Sequence, residues 1–352
     1  MKFQDKLKTI YIMKTNNSIL NVMLCLSASF LLEFAGLSAN AQNSAGPIIT
    51  FDKRVQKAAE LYEKGDYVNA KSLLKEIILE NATNGDAHNA LAIVLMAENS
   101  LSEAIAESKK AVELNGDNAE YHYTLARLYS AQVNEVDIFK KVSVARSMKD
   151  ELIAALKIDP RHIKAMILLG NYYYQVPGMA GGDIDKAIDM ANNLIRLDEK
   201  EGMTLMIDIF ISTKKYDKAI AEADLLTKAD EYTGRYKLVQ ILKRQDNKSR
   251  AEDEYKVIES KFGNNADHAV FFNDYGYFLL AQNRTDEAVE KFKKQVALAP
   301  KSSNAHDSLG EGYLKKGMLK ESLAEYTKAL ELNPGSKNSK GKVEEINRMM
   351  NK

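Results

Sequence analysis

One spacing, 34 residues, recurs along this chain and restricts what it can fold into. Near the C-terminal end Gly276 and Gly310 stand 34 apart, as do Phe292 and Tyr326, Leu298 and Leu332, and Pro300 and Pro334. Upstream the same interval separates Ala58, Ala92 and Ala126, then Leu61, Leu95 and Tyr129, and again Ala70 and Ala104. A fixed period of roughly 20–50 residues marks one supersecondary unit used repeatedly. A unit that small cannot bury its apolar face alone, so neighbours must stack on one another.

Composition says which unit. The chain has 352 residues with only five prolines and no tryptophan, and 45% of it is hydrophobic. Few prolines with abundant Ala, Leu, Lys and Glu favour helix. Lys plus Arg and Asp plus Glu number 49 each, so there is no basic excess of the kind nucleic-acid binding needs. The single cysteine, Cys25, lies in an N-terminal apolar stretch, which excludes a disulfide framework or thiolate metal site downstream.

The period carries a pattern. Residues 306–334, HDSLGEGYLKKGMLKESLAEYTKALELNP, run in order through a large residue, Leu-Gly, Tyr, a small residue, an aromatic, Ala-Leu and Pro. In this the chain resembles the tetratricopeptide-repeat (TPR) family over about residues 51–336. The resemblance implies an all-α fold, a right-handed α-solenoid of about eight TPR helical hairpins. The expected spans are 51–84, 85–118, 119–162, 163–199, 200–231, 232–268, 269–302 and 303–336. Small residues such as Ala126 and Gly310 on first helices should admit the second helix closely, with Tyr313 and Tyr326 filling the space around them. Pro160, Pro300 and Pro334 should stop second helices, because proline disfavours helix in the residue before it. The first repeat is degenerate, with Arg54 and Lys57 where bulky apolar residues are usual. The fifth and sixth rest mainly on Ala219 and Ala251.

Two places break the period. About ten extra residues follow Tyr129, and they include Val136, Ile138, Phe139, Val142 and Val144. That apolar content predicts a lengthened helix packed on the solenoid. About five more fall in YYYQVPGMAGGDIDKA (172–187), where positive φ is expected at Gly178, Gly181 and Gly182. The pair resembles a subset of bacterial TPR proteins in which an FKK…A lengthened helix precedes a PGxxGG turn. After Pro334, Val343, Ile346, Met349 and Met350 recur at helical spacing, which predicts a C-terminal capping helix over 337–352.

Signs of chemistry are few. His88, His122 and His306 each fall at the fourth position of a repeat, a packing slot, and no HExxH or CxxC exists. PGMAGGD lacks the Gly-Lys-Ser/Thr of a phosphate loop. Asp307-Ser308 in the LGEG stretch lacks a GxSxG nucleophile elbow. The chain is therefore read as no enzyme, with no cofactor and no metal. The alternative reading is an envelope-complex assembly factor, or a module accessory to a hydrolase or nucleotide-binding enzyme.

In the family, ligands commonly lie along the concave face lined by first helices. Carried onto this sequence, that face takes Tyr62, Asn89, Tyr123, Arg127, Asn171, Tyr174, Asp208, Tyr236, Gln240, Asn273 and Tyr277. Aromatics mixed with amides suit recognition of a protein or peptide partner. About half of these tyrosines are expected to pack between helices instead. No lysine occupies the fifth position of any repeat, so a clamp for C-terminal carboxylates is not expected.

The N-terminus reads as an export signal. Lys2, Lys6, Lys8 and Lys14 precede an apolar run at 19–32, and Ala39-Asn40-Ala41 matches a small-x-small cleavage site. Residues 1–41 are then a signal peptide and 42–50 a linker, with Met13 an alternative start. An uncleaved anchor is the alternative to cleavage, and the only membrane association expected. The chain is thus expected to be an exported scaffold, periplasmic or extracellular and bacterial, that binds other proteins through its concave face without nucleic acid.

Overall fold

The computed structural model describes residues 52–351, and the expected export signal and linker lie outside them. Seventeen α-helices and no strand occur among the described residues. They fall into two compact units, one ending at Glu222 and one beginning at Ala223.

The first unit contains α1 (Lys53–Glu63) with α2 (Tyr67–Glu80), α3 (Gly85–Ala97) with α4 (Leu101–Leu114), and α5 (Ala119–Glu135) with α6 (Ile138–Ile158). Then come α7 (Ile163–Gln175) with α8 (Ile184–Ile195), α9 (Glu199–Ser212), and the start of α10 (Tyr216–Ala229), inside which the division falls. The second unit continues with α11 (Glu231–Arg244) and α12 (Lys248–Phe262), α13 (Ala269–Leu280) and α14 (Thr285–Leu298), α15 (Ser303–Lys315) and α16 (Leu319–Leu332), and α17 (Lys337–Met350). Consecutive helices pack on one another from α1 to α9 in the first unit, and α11 on α12 and α13 through α17 in the second; in chain order the helices form eight pairs plus a final helix.

Local chemistry sets the helix ends. Asn84, Asn118, Asp198, Asp230 and Ser302 sit just before first helices, and each accepts from a backbone N–H of the first turn. That satisfies donors a helix start otherwise leaves unpaired. Second helices α6, α14 and α16 end at Ile158, Leu298 and Leu332, two residues before Pro160, Pro300 and Pro334.

Between the two helices of a hairpin, six turns use one left-handed residue: Gly65, Asn99, Lys214, Asp246, Asn283 and Gly317, with φ between 55° and 76°. Hairpins three and four depart from this, and they are the two whose sequences break the period. In hairpin three α5 and α6 grow to 17 and 21 residues, with a turn at Val136-Asp137 between them. Val133 is buried there, but Val142 is 38% exposed and points outward. In hairpin four a 3₁₀ turn at Gly178–Ala180 leads to Gly181, which has φ +100°. Gly178 and Gly182 do not have positive φ, contrary to expectation. Gly182 is required for closeness instead: a Cβ there would lie 1.6 Å from the Val176 carbonyl oxygen. The Tyr172 hydroxyl holds the turn by donating to the Ala180 carbonyl at 2.7 Å.

The eighth position of the first helices is fully buried at Ala58, Ala92, Ala126, Ile207 and Val239, and is glycine at Gly170, Gly276 and Gly310. Added Cβ atoms at Gly276 and Gly310 would sit 2.3 Å from the Phe292 ring and 2.9 Å from the Tyr326 ring, so each aromatic fills the space its glycine leaves. Hairpins five and six carry Ile207 and Val239 in that slot and place glycine elsewhere. Gly202 and Gly234 meet the backbone of the preceding second helix at Ile195 and Thr227, where a Cβ would fall 2.3 Å from a backbone nitrogen. Those two glycines were not singled out from the sequence. At the C-terminal end Ile346 of α17 is fully buried and Val343 partly so, while Met349 stays 46% exposed.

Candidate peptide-binding face

Seven of the expected face residues belong to the first unit. Tyr62 closes α1 half-buried, with its ring 5.3 Å from that of Tyr67. Asn89 is 2% exposed inside α3, and its Oδ1 has no hydrogen-bond partner. Tyr123 is also buried, at 6% exposure, with its ring 4.9 Å from the His162 imidazole and 5.7 Å from the Arg127 guanidinium. A cation at that distance from a ring is held by the ring's quadrupole. Arg127 remains partly exposed one turn further along α5. Its charge also reaches the Tyr62 hydroxyl, opposing the upward pKa shift that burial causes there. Asn171, Tyr174 and Asp208 are partly exposed on α7 and α9, and Gln175 Nε2 donates to the Tyr174 hydroxyl at 2.9 Å. Arg127 is thus a cation held by Tyr123 and flanked by Tyr62, while Asn89 and Tyr123 are interior residues.

The four candidates of the second unit are tied into the protein's own hydrogen bonds. Asn273 Oδ1 accepts from Ser308 Oγ at 2.6 Å, and the Tyr277 hydroxyl donates to Glu311 Oε2 at 2.9 Å. Burial pushes Tyr277 up to about 12. Tyr236 packs against Tyr232 and Phe271, and burial raises its hydroxyl beyond the usual tyrosine range, with the Asp274 charge adding to the shift and Gln240 opposing it. Such bonds run from one first helix to the next at close to the repeat interval.

Sequence reading missed most of these partners. Asp274 accepts from Lys243 Nζ and from the Tyr255 hydroxyl, each at 2.6 Å, joining α11, α12 and α13. In the first unit the Tyr121 hydroxyl donates to Asp86 Oδ1 at 2.5 Å across 35 residues. That near-period interval, shared with Asn273 and Ser308, was the available signal.

The three fourth-position histidines share one arrangement. The Nδ1 atoms of His88, His122 and His306 each lie 2.6 Å from a second-helix carboxylate, of Glu107, Glu151 and Glu325. Their Nε2 atoms face the carbonyls of Ala82, Gly116 and Pro300, so both ring nitrogens of each histidine are tied to the protein's own oxygens. Asp307 and Ser308 do not address each other either. Asp307 accepts from Asn338 and Ser339 of α17, and Ser308 is buried against Asn273. No group of three or more metal-binding side chains occurs among the described residues.

Comparisons with known proteins agree with this geometry. Residues 61–132 and residues 303–336 each match a tetratricopeptide-repeat family model. The chain is 25% identical over 297 residues to Tetratricopeptide repeat protein 37 of Xenopus laevis, an alignment covering 84% of this chain and 16% of that protein. It is 23% identical over 298 residues to Superkiller complex protein 3 of Homo sapiens, covering 85% and 16%. The chain therefore spans only 16% of the length of these curated relatives.

Among solved structures, a tetratricopeptide repeat protein from Parabacteroides merdae superposes with a TM-score of 0.54 at 17% identity, covering 74% of this chain and 97% of the other. Yeast Tom70 gives a TM-score of 0.64 at 15% identity, covering 98% and 72%. At such identities the likeness establishes the fold. The chain thus carries tetratricopeptide repeats at residues 61–132 and 303–336 and has the fold of tetratricopeptide-repeat proteins, a scaffold that in general supports protein–protein interaction.

Proposed function

We propose that this protein is an exported scaffold that binds an extended peptide segment of a partner along the first-helix face of residues 52–222. The observation that carries the reading is the Arg127 guanidinium held beside the Tyr123 ring at 5.7 Å, with Tyr62 in reach of its charge. Asn171, Tyr174 and Asp208 extend the same helix face as partly exposed polar groups. Arg127 supplies donors for a peptide carbonyl or carboxylate, and the tyrosines supply contact area at low entropic cost. In the second unit Asn273 and Tyr277 are bonded to Ser308 and Glu311, which gives them a role in joining repeats.

Export rests on the basic lead, the apolar run at 19–32 and Ala39-Asn40-Ala41. N-terminal sequencing of protein from its native host should begin at Gln42. An intact N-terminus recovered from membranes would establish an anchor instead. Partner binding is tested by affinity capture from the native envelope fraction, scored by mass spectrometry. Partners retained by the unmodified chain and by Tyr277→Phe, but lost by Arg127→Glu, support the reading. Equal recovery on Arg127→Glu would overturn it.

A further inference from the structure

The lengthened hairpin has a surface that the concave-face reading does not use. On α6, Met148, Leu152 and Ala155 are buried against the rest of the first unit. Val142, Arg146, Lys149, Ile153 and Lys157 follow the i, i+4, i+7, i+11, i+15 series of a single helix face. That face points away from the buried one, and at 1.5 Å per residue it runs for roughly 22 Å. Val142 and Ile153 are 38% and 43% exposed, and Arg146 and Lys157 are exposed without an ion-pair partner. The stripe holds three cations, of which Lys149 is only partly exposed, and no carboxylate. Asp150 lies at its edge, 3.7 Å from Lys149. Glu151, the next acid, is turned inward to His122.

The repeat supplies an internal comparison. At the position of Ile153 other second helices carry Lys75, Lys109, Asn192, Asp224, Lys256 and Lys293, all polar. At the position of Lys157 the second and last hairpins carry Glu113 and Glu331. Elsewhere α2 and α10 also expose aliphatics, at Val68, Leu79 and Leu225, and α6 sets its exposed pair among three cations. It is also the longest helix described, and its extra turns bring Val142 into the stripe.

From this we infer that the outward face of α6 is a second docking surface, and that its occupant is an acidic amphipathic helix of a protein partner. Two aliphatic residues eleven positions apart match the apolar face of a short helix, and the three cations between and beside them match carboxylates flanking it. Charge complementarity of this kind orients a partner and speeds its approach. A membrane surface fits less well. Interfacial helices sink their apolar face roughly 5–10 Å into the lipid boundary, whereas Val142 and Ile153 are less than half exposed.

The test is selection of a displayed library of amphipathic helices, varied in the charges of their polar face, on the full chain. Enriched helices should be acidic and should weaken with added salt. They should bind Ile153→Asp, and the pair Arg146→Glu with Lys157→Glu, about tenfold or more weakly. Arg127→Glu should leave their affinity unchanged, which separates this surface from the concave face. Because all three altered side chains are solvent-facing, circular dichroism should show each variant folded. Enrichment without acidic bias, or equal affinity for the altered chains, would overturn the inference. So would sedimentation of the chain with phosphatidylglycerol vesicles that Ile153→Asp abolishes.

Discussion

Arg284 donates from Nη1 and Nη2 to the two carboxylate oxygens of Glu252, at 2.6 and 3.0 Å, tying α12 to the start of α14 across 32 residues. The Arg284 bond holds the Glu252 carboxyl down from 4.5 to about 2, against the burial that opposes it. A depressed carboxylate pKa means that the unfolded chain binds the proton more tightly. The pair's stabilisation is thus complete above about pH 4.5 and is lost as pH falls through about 2. Melting temperature should decline over that window, and Arg284→Gln should flatten the decline. An identical acid profile in the variant would show that the pair contributes nothing to folding.

Gly310→Leu should destabilise the second unit by about 1–3 kcal/mol through overpacking, since even a Cβ would stand 2.9 Å from the Tyr326 ring. Gly182→Ala should destabilise as well, because the obstacle there is the Val176 backbone carbonyl, 1.6 Å from the added atom. Gly178 has open space around its Cβ position, so Gly178→Ala should be neutral or slightly stabilising. Denaturation midpoints of the three variants decide the matter. Matching midpoints for Gly182→Ala and Gly178→Ala would refute the close approach at Val176.

Lys214 adopts φ +57° at a turn where other hairpins place Gly65, Gly317 or Asn283. A side chain in that region costs roughly 1–2 kcal/mol relative to the right-handed one, part of which glycine returns as extra entropy in the unfolded chain. Lys214→Gly should therefore raise stability by about 0.5–1 kcal/mol. Calorimetric melting of the full chain measures it, and a lowered melting temperature would argue against a strained turn.

Removal of residues 337–352 should leave the remaining hairpins folded, because repeats depend on their nearest neighbours. The loss strips Ile346 from the core and removes Asn338 and Ser339 from Asp307. The apolar side of α16, with Leu323 and Leu330 already only partly covered, then opens to solvent. Light scattering should register self-association while circular dichroism keeps most of its helical signal. A truncated chain as monodisperse and as stable as the full one would make α17 dispensable.

What could be read from the sequence was whatever repeats at a fixed interval. Gly276 and Gly310 announce close helix packing because they stand one period apart, each where an aromatic of the second helix approaches. Pro300 and Pro334 announce helix ends because proline cannot continue a helix. Gly202 and Gly234 escaped notice because their spacing, 32 residues, is off the period and their partners are backbone atoms. The face residues divided for a similar reason. The family pattern places Tyr123 and Arg127 on one helix side, yet only packing decides that Tyr123 is 6% exposed while Arg127 is partly exposed.

By itself the sequence determined the class of fold, the near-34-residue unit and the positions where helices start and stop, since these depend on local backbone preference and on side-chain periodicity. Tertiary structure alone decided which polar groups are spent inside the protein. Asn273 and Tyr277 look like contact residues until Ser308 and Glu311 arrive from the next hairpin. The aliphatic residues of α6 look like core until the hairpin is assembled with Val142 and Ile153 facing out. Whether a side chain is occupied or available depends on what lies opposite it, and neighbouring hairpins bring together residues roughly thirty positions apart.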